Sequence, residues 1–299
     1  MWFYLALLSA IFLGIYDIFK KVSLNKNAVL PVLMISIASA ALIFLPLLVL
    51  STFGIIPNNN LLYIPEITAS EHLQVFLKAI IVLTSWIFSF FALKHLPITL
   101  VAPIRATGPF WTLLGAILIF SEQLNTFQWI GIAITLLFFY LFTTVGKLEG
   151  IHIKRNKWFW FIILATLSGA VSGLYDKHLL QNINRLAVQS WFSIYQTLIM
   201  LPIIMFLWYP KRKRSTPFIF RWTIPLIGIS LVSADYIYFK ALSEPEALIS
   251  VISAIRRGGV IIAFSIGAIL FKEQNIQRKT IYLLGIILGI GLLIFGSAH

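Results

Sequence analysis

The chain has 299 residues, 60% of them hydrophobic and only 11% charged, with no cysteine and a formal net charge of +13. A soluble globular chain carries about 25% charged residues, so this composition excludes an ordinary soluble domain and describes a polytopic, all-α membrane protein. It also excludes a disulfide frame and a cysteine metal site, and the basic excess falls mainly in short loops between apolar runs, which marks membrane topology and not nucleic-acid binding.

A spanning helix needs about 20 mostly apolar residues. Ten runs qualify, numbered helices 1 to 10 in chain order: 2–20, 29–53, 74–93, 98–120, 127–145, 158–178, 187–209, 222–242, 247–271 and 280–296. The first is too long for a signal-peptide core and runs into Ser23–Val29, not a small-residue cleavage site, so it is expected to stay in the mature protein. Only the connections 54–73, 146–157 and 210–221 are long.

Basic residues at and after the ends of the odd-numbered helices number sixteen, among them Lys20, Lys21, Lys94, Arg155, Lys211, Arg212 and Lys272. The opposite side holds four: Lys78, Lys177, Arg185 and Lys240. This asymmetry predicts odd-numbered loops in the cytoplasm and both termini outside it. The run Lys211–Arg214 is expected to fix topology and touch anionic lipid, not nucleic acid.

The two halves repeat. Residues 6–29 match 165–188 without a gap, pairing Gly14 with Gly173, Tyr16 with Tyr175 and Asp17 with Asp176. Phe120–Asn125 matches Phe271–Ile276, which sets Glu122 over Glu273 after helices 4 and 9. Residues 1–146 and 158–299 thus form two units of five helices. An odd number inverts the second copy and places a substrate site near the midplane between the copies.

These features resemble the EamA-type drug/metabolite transporter superfamily: ten helices in two inverted halves, a small-residue first helix in each, and a Glu-Gln pair entering helices 5 and 10. The resemblance covers nearly the whole chain. It implies a multi-pass secondary transporter, with the bacterial inner (plasma) membrane as its expected location. Expected partners are a small-molecule cargo, a proton or counter-substrate and the lipid bilayer, with the chain a monomer or homodimer.

The sharpest chemical signal is Arg256 and Arg257, followed by Gly258 and Gly259 inside an apolar run; Arg105 and Gly108 align with Arg256 and Gly259. A guanidinium near the bilayer midplane costs at least about 2.5–3.5 kcal/mol and cannot shed its charge. Either an acid such as Asp235 neutralises it, or it faces a wet cavity and binds a carboxylate or phosphate. Adjacent helical residues diverge by about 100°, so one arginine can meet cargo while the other is held by an acid. Arg105 and Arg256 are expected on the anionic group, with Arg257 and Asp235 tuning the pocket.

Asp235 can serve as counter-ion or proton carrier, Tyr236 and Tyr238 as hydroxyl donors, and Trp86 with Ser89 as an apolar wall opposite. The arginines also resemble the organophosphate-translocating branch of the superfamily, where a basic residue of helix 4 and a basic pair of helix 9 surround a phosphate. That branch more often uses lysine at some of these positions, so the likeness implies an anion without fixing phosphate.

Gly14 and Gly173 are candidate rocking points or simple close-packing positions, and Asp17 and Asp176 candidate gate residues or solvated interfacial ones. Glu122 and Glu273 are expected to satisfy backbone N–H groups or pair with basic neighbours. No P-loop, paired metal-ligand histidines or soluble nucleotide domain is present, so no enzyme, cofactor or metal is expected. The function expected is secondary transport of a small organic anion or zwitterion by alternating access. The alternatives are an amino-acid or amphiphilic-drug exporter with structural arginines, and a non-transporting lipid-handling or assembly protein.

Overall fold

The computed structural model describes residues 1–95, 104–105, 107–143, 157–212, 216–259, 261–263, 265–266 and 276–298. Among them are ten α-helices: α1 Trp2–Leu24, α2 Val29–Thr52, α3 Ala69–His95, α4 Gly108–Phe120, α5 Thr126–Thr143, α6 Lys157–Asn182, α7 Arg185–Ile203, α8 Thr223–Leu242, α9 Ile249–Arg256 and α10 Ile276–Ala298. Seven of the described helical stretches are long and apolar enough to cross a bilayer, and α4 and α5 are shorter apolar helices. The start of helix 4, the 146–156 connection, Lys213, Arg214, Lys272 and Glu273 lie outside the described residues.

Three departures from the sequence reading matter. First, α3 begins five residues earlier than its apolar run, because Thr68 and Glu71 form a capping box. The Thr68 N–H donates to the Glu71 carboxylate at 2.6 Å and the Glu71 N–H to the Thr68 hydroxyl at 3.3 Å. Second, helix 9 is not continuous. It breaks at Arg257–Gly258, where Arg257 N bonds Ala254 O and Gly258 N bonds Ile255 O in three-residue steps, before helical residues resume at Gly259. Third, helix 4 has the matching interruption at Thr107, whose N–H and hydroxyl both reach Ile104 O.

The main packing pairs are α1 with α8, α3 with α6, α2 with α8, α3 with α7, α1 with α9 and α4 with α6, together with α5–α10, α2–α7 and α4–α9. Exchanging each helix for the one five places along maps this set onto itself. Small residues permit the close crossings: a Cβ on Gly14 would stand 2.6 Å from Gly259 O, and one on Gly131 2.9 Å from Gly289 O. Polar side chains such as Ser9, Thr135 and Ser190 are buried, while Leu118, Phe206 and Leu288 are exposed on the outer surface, the arrangement a lipid solvent requires. The α5–α10 pair contributes no described residue to the central cavity.

Candidate functional site

A cavity of about 310 Å³ lies between α1, α3, α4, α6, α7, α8 and α9. Its length can be read along α6, where lining residues run from Ala165 to Asp176, and along α3 from Lys78 to Ser89. Each is about three turns, or about 16 Å of helix axis. Ile104 packs with Ala165 and Gly108 lies opposite Thr166, so Arg105 stands at the Ala165 end, where it is exposed. At the other end Lys78, Phe239 and Ile249 are fully buried.

Cationic groups recur along that length. Arg257 reaches the N-terminus of α4: a Cβ on Gly108 would be 3.3 Å from its Nη2, so glycine makes room for the guanidinium. Its Nε is buried without a partner, and among the described residues neither Arg257 nor Arg105 forms an ion pair. Both therefore add positive charge beside a helix N-terminus that is itself electropositive. Midway, Arg256 is held by Asp235 at 3.0 Å and lies 3.9 Å over the Tyr238 ring, with Tyr238 buried near Gly173. The Asp235 clamp reverses the expected division of labour: Arg256 is the guanidinium tied to an acid, and Arg257 is the one left open.

Trp86 lines the cavity, and so does Ser89, whose hydroxyl is buried with no partner among the described residues. Tyr236 does not line it. Two residues from Tyr238 on a helix is about 200° of rotation, and its ring lies instead 5.4 Å from the Arg185 guanidinium. Gly173 and Asp176 are lining residues, whereas Gly14 is buried at the crossing with Gly259 and Asp17 is exposed outside the cavity.

Residues 1–144 match the EamA-like transporter family. The match spans 144 of the 299 residues, just short of half the chain. A solved structure described only as "Crystal structure of protein" shares the fold over 99% of this chain and 96% of its own, with a TM-score of 0.72 at 12% sequence identity. An identity that low carries the architecture and nothing about cargo. No curated protein matches the chain.

Within this fold the structure adds two groups that the sequence alone places elsewhere or at the margin. Lys78, counted there among loop charges, is 2% exposed inside α3 and forms an ion pair with Asp176 of α6. Phe192 and Phe239 stand 4.5 and 4.7 Å from its ammonium. The α3 face is thus not a purely apolar wall, and Asp176 is buried and ion-paired, not solvated. Glu122, expected to satisfy backbone donors, does so across the molecule. Ser121 adopts φ 52°, ψ 38° after α4, and the Glu122 carboxylate then accepts from Ile249 N at 2.7 Å, Ser250 N at 3.3 Å, the Ser250 hydroxyl at 2.5 Å and Lys177 Nζ at 2.6 Å. It caps the α9 helix that carries Arg256 into the cavity.

Proposed function

We propose that the chain is a secondary-active transporter whose two inverted five-helix repeats rock about this cavity to move a small organic anion, or a zwitterion through its anionic group. The observation that carries the reading is the pair of guanidiniums at the N-terminus of α4, Arg105 and Arg257, which form no ion pair among the described residues. Among the described lining residues Lys78, Arg105, Arg256 and Arg257 outnumber the two carboxylates, Asp176 and Asp235, even with Lys20 left out of the count. Uncompensated positive charge in a protein interior is costly, and a visiting oxyanion would relieve it. Exchange symmetry of the packing supports two repeats, and interrupted helices 4 and 9 at the site are the usual way a transporter exposes backbone to cargo. Loop charge supports both termini lying outside the cytoplasm of a bacterial inner membrane, which turns the Arg105 end of the cavity inward.

The test is a thermal-shift screen of purified protein against anionic, zwitterionic and neutral metabolites, followed by counterflow in proteoliposomes. Stabilisation should concentrate among anionic compounds and fall at least tenfold in apparent affinity in Arg105→Gln and Arg257→Gln. Equal stabilisation by neutral amphiphiles, unaffected by either substitution, would assign the arginines a structural role. Binding without counterflow would show a protein that does not transport.

A further inference from the structure

The Lys78–Asp176 pair sits at the blind end of the cavity and joins α3 of the first half to α6 of the second. It differs from the cavity's other ion pair in its access to water. Lys78 and Asp176 side chains are 2% and 8% exposed, against 18% and 20% for Arg256 and Asp235. Asp235 can keep its charge by hydration if its arginine turns to cargo; Asp176 has little such recourse. Lys78 also has donors to spare. Its ammonium carries three N–H groups, and among the described residues Asp176 supplies its only oxygen acceptor, the rest of its surroundings being the two phenyl rings.

The pair is also one-sided. Asp17, the repeat partner of Asp176, is exposed outside the cavity. In the register that sets Trp86 over Asp235 and Ser89 over Tyr238, the position matching Lys78 is Ile227. A device needed only to hold two packed repeats together would be expected at both ends. Among the described residues this one exists at a single end, an asymmetry that suits vectorial coupling.

We propose that Asp176 is the proton-coupling group of the cavity: an anionic cargo that draws Lys78 away leaves this carboxylate to bind a proton. The inference rests on the anionic-cargo reading above. With no cargo, Lys78 and Asp176 neutralise each other. An anion engaging Lys78 leaves one uncompensated negative charge in a site poor in water, and a carboxylate so placed takes up a proton in preference to staying charged. The proton passes from hydronium in the cavity water to an Asp176 oxygen. When cargo departs at the opposite face Lys78 recaptures the carboxylate and the proton returns to water there, so one proton travels with each anionic charge held at Lys78.

The groups facing Asp176 permit this. From α3 it meets Lys78, and from α8 Tyr238 and Asp235; from α9 it meets Arg256, already committed to Asp235; among the described residues α4 lines the cavity with Gly108 and Thr112 and α7 with Phe192, none of them ionisable, and α1 lines it with Tyr16 and Lys20. On its own helix, Lys177 is bound to Glu122 and the Ala247 carbonyl. Because linkage is reciprocal, protons must tighten anion binding by the factor by which the anion tightens proton binding. Affinity is therefore high at low pH and falls as pH rises, by up to about tenfold per pH unit for one coupled proton.

The experiment uses the purified full-length protein and sulfate, whose charge is constant between pH 5.5 and 8.5, with chloride at equal ionic strength as reference. In the wild type, sulfate should raise the melting midpoint more at pH 5.5 than at pH 8, and adding it in weak buffer should draw protons from solution onto the protein. Asp176→Asn should flatten the pH dependence. Should that variant misfold, the double variant Lys78→Met with Asp176→Leu removes both charges together and should abolish proton uptake in a folded protein. Sulfate binding that is lost in Arg257→Gln yet shows no pH dependence and no proton uptake overturns the proposal and leaves the anion cavity standing. A pH slope that survives in Asp176→Asn also overturns it. No sulfate effect in the wild type at any pH overturns the anion cavity, and this inference with it.

Discussion

Gly14 and Gly173 occupy equivalent positions in the two halves, yet their surroundings differ in kind. A methyl group on Gly14 would meet Gly259 O and Ile262 Cβ at 2.6 Å, and backbone at that range cannot yield without parting α1 from helix 9. On Gly173 the nearest neighbour would be the Tyr238 hydroxyl at 4.0 Å, across the cavity. Gly14→Ala should therefore destabilise the fold by about 1–3 kcal/mol through overpacking. Gly173→Ala should leave stability unchanged or raise it by up to about 1 kcal/mol, since alanine is the better helix former, while cutting transport by narrowing the cavity. Parallel unfolding and counterflow measurements check both, and reversed outcomes would exchange the two roles. The small-residue stripe was legible in the sequence. Which glycine packs and which keeps space was not, because that depends on Gly259 and Tyr238, contributed by other helices. The same limit explains the arginines: the sequence allowed one of Arg256 and Arg257 to be tied to an acid, but only the position of Asp235 decides that it is Arg256.

At the scale of elements, the boundaries of α3 and α9 decide what the site contains. Lys78 looked like a loop charge because the apolar run begins near residue 74, which would put it at headgroup depth. Starting α3 at Ala69 instead sets Lys78 about 13 Å along the helix. The Thr68–Glu71 box responsible was already visible as Thr followed three residues later by Glu, the one local signal that could have found it. For α9 the cap comes from Glu122, some 127 residues away. Its own N-cap residue Leu248 offers no side-chain bond, so the N-terminal N–H groups depend on that carboxylate. Replacing Glu122 with Ala would leave Lys177 without its carboxylate and the α9 N–H groups of Ile249 and Ser250 without acceptors. A loss of about 3–5 kcal/mol is expected, as for other broken buried charge pairs, together with poorer anion binding because α9 positions Arg256. Glu122→Gln, which keeps an acceptor, should recover part of the stability. Denaturation midpoints for the two variants test this, and equal losses would make charge, not capping, the dominant contribution.

For the whole molecule, ten apolar runs sufficed to anticipate a polytopic helical membrane protein. The described packing pairs follow the order implied by exchanging the halves. The interruptions at Thr107 and Arg257–Gly258 were hidden because apolar composition continues through both, and an Arg-Gly sequence does not say where a helix stops inside a bundle. These breaks nevertheless set the polarity of the cavity: exposed Arg105 and Thr107 at one end, the buried Lys78–Asp176 pair at the other. On the proposed topology, which rests on loop charge, the Arg105 end faces the cytoplasm. The natural chain contains no cysteine, so a single introduced thiol reports on that orientation without background. Thr107→Cys, whose side chain precedes α4 and is exposed, should react with a membrane-impermeant maleimide several-fold faster in inverted membrane vesicles than in right-side-out cells. Saturating an anionic ligand should slow that reaction, because cargo at Arg105 and Arg257 would sit against the labelled position. Faster labelling from outside would reverse the membrane orientation and, with it, the direction in which the one-sided Lys78–Asp176 pair acts.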